Sequence, residues 1–160
     1  MKGQNLPAEH HIVRLVSYGR LLKDQDGNPI GISFAAFQRN PEHDGLSVTW
    51  LEYFAGERPQ RIERAVRAIR ASLTVGGKAG FAIGQVAAIA KTCEDRHQRV
   101  RIIHWPEDDN KAHAEVRQLP RDDQELLEDL ATGSWSELVL NASIPPGEEA
   151  APDEPAEPIP

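Results

Sequence analysis

The break at Ile144 constrains the chain more than any other feature. From there it reads IPPGEEAAPDEPAEPIP, which holds six of the twelve prolines, five acids and almost no apolar bulk. Such a segment cannot bury enough surface to offset its ordering entropy, so residues 144–160 are expected to form a disordered acidic tail. The fold must come from residues 1–143, a length that suits one domain with one core. The tail also carries five of the 25 acids and none of the 18 bases, which leaves 20 acids against 18 bases, or −2, in the body. A nearly balanced surface has no basic face with which to displace the counterions of nucleic acid. No stretch approaches the roughly 20 apolar residues that span a bilayer. Neither nucleic acid nor membrane is therefore an expected partner. Cys93 is the only cysteine, and the N-terminus lacks the apolar run of a signal peptide, so a reducing, cytoplasmic setting is expected.

Within the body, β-branched and apolar residues at Ile12, Val13, Leu15 and Val16 suit a first strand, and Asp26-Gly27-Asn28-Pro29 is strong turn chemistry. IGISFAAF, residues 30–37, is a second apolar segment. LSVTWLEYF alternates and is the best strand candidate; continued alternation would place Trp50 and Phe54 on one face, Leu51 and Tyr53 on the other. Ile62, Val66, Ile69 and Leu73 recur at helical spacing, after a proline that the first turn tolerates. VGGKAGFAIGQV reads as a glycine-rich turn before a second helix over 85–96. RVRIIHW and HAEVRQL read as strands, Leu126, Leu127 and Leu130 lie on a third helix, and a short fourth helix is expected around Trp135–Leu140. Runs of strands followed by runs of helices favour an α+β domain, with a small mixed or antiparallel sheet packed against about four helices.

The candidate chemistry is scattered. Arg61, Arg64, Arg67 and Arg70 form a helical stripe, read as a solvated face interleaved with Glu63. Gly76, Gly77 and Lys78 are a weak anion-binding candidate, although no Gly-Lys-Ser/Thr closes a phosphate loop. His104 and His113 flank a loop holding Glu107, Asp108 and Asp109; paired as a hairpin, they would bring imidazoles and carboxylates together as a metal site uses them. Cys93 lies late in a helix, where the macrodipole disfavours a thiolate. Ser47 lacks a nucleophile-elbow context, since no Gly-x-Ser-x-Gly is present.

LPAEHHIVRLV, LSVTWLEYF and PEDDNKAHAEVRQLPRDD resemble blocks of a small uncharacterised bacterial protein family: a doubled histidine before the first strand, LSVxWLEYF, and an AHA block leading to LPRDD. The resemblance spans about residues 6–144 and implies a bacterial origin, with no activity, cofactor or site residue to carry over. Arg14 on a first strand and Ser47-Val48-Thr49 on a later one also faintly look like the arginine and serine elements of ADP-ribosyltransferases, without that family's glutamate motif.

Three readings follow. The leading expectation is a non-enzymatic accessory or protein-interaction domain of a bacterial cytoplasmic system, needing a protein partner and no cofactor, with its binding surface near LSVTWLEYF and the loop from Pro106 to His113. The alternative is a small enzyme acting on a nucleotide or phosphate-containing group, ADP-ribosyltransferase-like or phosphohydrolase-like. There Arg14 would hold an anion, one of His10 or His11 would polarise it, and Glu52 or His113 would transfer a proton. A histidine-based metal site is the third possibility. Convergence of His11, Arg14, Glu52, His104 and His113 on one pocket would favour catalysis.

Overall fold

Along the chain, β1 (His11–Val16) precedes the short hairpin of β2 (Leu21–Lys23) and β3 (Pro29–Ile32), then β4 (Gly45–Trp50) and helix α1 (Arg58–Ser72). There follow β5 (Gly80–Gln85), α2 (Val86–Glu94), β6 (Arg101–His104), β7 (His113–Arg117), α3 (Gln124–Asp129) and β8 (Glu137–Leu140). This computed structural model describes residues 2–146, so most of the expected tail lies outside the described residues. Six strands form one antiparallel sheet in the order β6-β7-β4-β1-β5-β8, and β2 pairs with β3 alone. The class is α+β, as the segment order indicates.

Three segments depart from expectation. Residues 137–140 are an edge strand and not a fourth helix, because Phe81 and Ala82 of β5 offer Leu138 and Val139 a ladder, and four residues are too few to set a helical period. The glycine-rich stretch is a turn only up to Ala79; Gly80–Gln85 is an internal strand whose first five residues are all buried. Its glycine at 84 serves close packing, since a Cβ there would lie 2.8 Å from the Ser134 carbonyl oxygen and from the Trp135 ring. LSVTWLEYF stops being a strand after Trp50, where Leu51–Tyr53 wind into a 3-10 turn. Trp50 and Phe54 consequently pack into different clusters.

The two faces of the sheet are covered differently. On one, Ile12, Val16, Leu46 and Val48 pack against Ile89 and Cys93 of α2, Leu126 and Leu127 of α3, Phe37 and Trp135. A single π-helical turn, Leu130–Ser134, swings Trp135 inward; its ring stacks on Phe37 at 4.4 Å and its Nε1 donates to the Ala82 carbonyl at 3.2 Å. On the other face, Ala65, Val66 and Ile69 of α1 cover Val13, Phe81 and Ile83, which belong to β1 and β5. There the β4-β7-β6 half instead carries Ser47, Thr49, His113, Glu115 and Arg117, one face by strand alternation and register.

Arginines of α1 anchor loops and do not form a free stripe. Arg61 and Arg64 donate to the Phe54 and Ala55 carbonyls, and Arg70 donates to those of Asn141, Ile144 and Pro145. Ile144 and Pro145, at the start of the expected tail, are thereby tied to α1. No helix of the described residues is long and apolar enough to cross a membrane.

Candidate functional site

β1 and β4 pair only at Ile12–Trp50 and Val13–Thr49 and then diverge. The gap is occupied by Arg14, whose Nε donates to the Ala36 carbonyl at 3.0 Å and whose NH1 donates to the Ser47 carbonyl at 2.9 Å. Strand divergence leaves the exposed Ser47 carbonyl without a ladder partner, and the guanidinium supplies the donor there and at the part-buried Ala36 carbonyl. Burial, with the Arg20 charge adding to it, pushes the Arg14 guanidinium down to about 10, so it stays cationic near neutrality. Two of its donors are thereby committed to backbone carbonyls, where they support Ser47.

Beside that gap lies a cleft of about 140 Å3, lined among others by Ser47, Thr49, Glu107, Asp109 and His113. The register sets Thr49 opposite His113 and Ser47 opposite Glu115, so the Ser47 hydroxyl reaches the His113 ring diagonally, Oγ to Nε2 at 2.7 Å. The other ring nitrogen lies 2.8 Å from the Trp105 carbonyl oxygen. A carbonyl only accepts, so Nδ1 carries the proton, Nε2 presents its lone pair, and the serine hydroxyl donates to it. His113 is almost fully buried. The loop behind it is held by Asn110, whose side chain donates to Thr49 Oγ1 at 3.0 Å and accepts from the Ala112 N–H at 3.1 Å. Glu107 reaches to 3.7 Å from Nδ1. Two residues beyond His113 on the same face, Glu115 is held by Arg117 at 2.8 Å.

The remaining candidates lie elsewhere. His11 and Glu52 do meet: one carboxylate oxygen accepts the His11 backbone N–H at 2.7 Å and the other accepts Nδ1–H at 2.6 Å. His11 also lines a second cleft, with Gln85, Ser134, Ser136 and Glu137. His10 is an acceptor for the Trp50 indole N–H at 3.0 Å. His104 is paired with Ala114, one place out of step with His113, so strand alternation sends the two imidazoles to opposite faces. A shared metal ion between His104 and His113 is thus ruled out by register. The His104 ring packs edge-on to Trp50 at 5.1 Å and donates Nε2–H to the Lys111 carbonyl, while buried Nδ1 has no partner. Burial holds its pKa below the ordinary 6.5. Gly76 and Gly77 sit in an exposed turn, with the Lys78 ammonium 5.5 Å from the Tyr18 ring centroid.

The five residues expected to converge thus divide among three places, and the partner of His113 is Ser47, 66 positions away. The register between β4 and β7 was the missing information; Ser47 alternating outward on LSVTW was its only trace in the sequence. No protein family matches the chain, and neither does any curated protein or solved structure.

Proposed function

We propose that the protein is a small hydrolase or transferase that uses Ser47 as nucleophile and His113 as general base, acting on an acyl or comparable electrophilic group. One observation carries this reading: the Ser47 hydroxyl donates at 2.7 Å to the lone-pair nitrogen of an imidazole whose tautomer the Trp105 carbonyl sets. A nucleophile, a base and a group that orients the base form the recurring unit of nucleophilic catalysis. As Ser47 Oγ attacks, its proton passes to His113 Nε2, and the ring then delivers it to the leaving group. Glu107, close to Nδ1, favours the transient imidazolium. The acidic wall of Glu107 and Asp109, together with an arginine committed to carbonyls, weighs against a phosphate-bearing substrate and favours a neutral or cationic one.

The test is covalent labelling with a fluorophosphonate, in which serine displaces fluoride and keeps the phosphonyl group. An adduct on the Ser47 peptide is expected, lost in Ser47→Ala and slowed about a hundredfold or more in His113→Gln, with thermal unfolding confirming that both variants fold. No adduct, or one indifferent to His113, would sink the reading.

A non-catalytic binding role is favoured by a different observation. Leu22 and Ile30, on the β2-β3 hairpin away from LSVTWLEYF, are 47% and 68% exposed. If a protein partner docks there, replacing both with Ser abolishes its co-purification from a bacterial lysate.

A further inference from the structure

His113 has close carboxylate neighbours on its own face of the sheet. Glu107, His113 and Glu115 each place one ligand atom within 4.8 Å of the others. The arrangement is built from two elements. His113 and Glu115 are successive same-face residues of β7, and Glu107 comes from the Asn110-held loop that precedes the strand. Two of the three are largely withdrawn from solvent, with side chains 7% and 18% exposed for His113 and Glu115. Room for the Glu115 carboxylate comes from Gly45, where a Cβ would lie 2.7 Å from its Oε1. When Nε2 ligates, the Trp105 carbonyl accepting from Nδ1 is the outer partner that metal-bound histidines regularly have.

We propose that Glu107, His113 and Glu115 bind a divalent cation of the zinc class, and that its occupancy switches Ser47 off. One imidazole and two carboxylates suit a borderline ion such as Zn2+, which accepts nitrogen and oxygen ligands and leaves a fourth position to water. The switch follows whichever ring nitrogen ligates. An ion on Nε2 takes the lone pair that receives the Ser47 proton and displaces the hydroxyl. An ion on Nδ1 sends the ring proton to Nε2, which then donates and no longer accepts. Either way the serine loses its base. The metal site stands independently of the proposed activity, whereas the switch rests on it.

The experiment has two arms on the full chain. Calorimetric titration with zinc chloride is expected to show one site, weakened at least tenfold in Glu115→Gln and in Glu107→Gln and retained in Ser47→Ala. Binding unaffected by either glutamine variant, or absent altogether, overturns the site. In the second arm, zinc is expected to suppress fluorophosphonate labelling of Ser47 in step with calorimetric occupancy. Measured against its own zinc-free labelling, Glu115→Gln should require at least tenfold more zinc for the same suppression. Labelling unchanged at full zinc occupancy overturns the switch alone. No labelling in zinc-free protein overturns both the nucleophile reading and the switch, while calorimetry still decides the metal site.

Discussion

The two halves of the sheet are built from the same kind of strand and put to different uses. The β1-β5 region is covered on both faces, by α1 on one and by Trp135 with its neighbours on the other, and β5 is correspondingly apolar from Gly80 to Gly84. On the β4-β7-β6 half the second face meets only the C-terminal end of α1, at Ile69 and Ser72, and the polar loop through Glu107 and Asn110. An antiparallel sheet with one wet face can alternate apolar and polar residues, and that alternation is what places Ser47, His113 and Glu115 in one row. A doubly covered region stabilises; a singly covered one can hold reactive side chains without disturbing the core.

That contrast is sharpest if substitutions in the covered region cost stability and those in the polar row cost reactivity. Trp135→Ala removes a fully buried ring and its hydrogen bond, and chemical denaturation should show a loss of about 3–5 kcal/mol. Gly84→Ala forces a methyl against the Ser134 carbonyl and the indole; by the same measurement it should lose ~1–3 kcal/mol. Arg14→Met, at the boundary between the halves, strips the Ala36 and Ser47 carbonyls of their donor and should cost about 1–3 kcal/mol. A larger loss from Ser47→Ala than from these would break the comparison; that variant should fall within about 0.5 kcal/mol of the parent while losing its fluorophosphonate adduct.

His104 gives the contrast a pH dependence. Burial holds its folded-state pKa below 6.5, so the unfolded chain binds the proton more readily. Its stabilising contribution is complete above about 6.5 and is lost as pH falls from there toward the depressed folded value. Denaturation midpoints should therefore decline on the acid side in the parent and decline less in His104→Gln. The smallest effect concerns Cys93, buried in the covered region, whose thiol burial pushes up to about 11, with Glu94 adding to the shift. Iodoacetamide at neutral pH should leave it unmodified until the protein is unfolded.

Much of the framework was legible beforehand. The helix over Ile62, Val66 and Ile69, the strands around Ile12 and Val48, the α+β class and the inert cysteine all follow from local periodicity, charge and turn chemistry. Their causes lie within a few residues. What escaped the sequence was long-range. Gly80–Gln85 looked like a turn because its Gly84 answers to Ser134 and Trp135, about 50 positions on. Residues 137–140 looked helical because only the β5 ladder makes them a strand.

The candidate site divides in the same way. Composition and spacing alone supplied His11, Glu52 and the carboxylates around His113 as residue types, without saying which of them meet. Only the tertiary structure decided that His104 and His113 face apart, that Arg14 serves carbonyls, and that Ser47 is the partner of His113. Strand register determines which side chains meet, since a slip of one residue exchanges the faces, and register depends on pairing between segments distant in the chain.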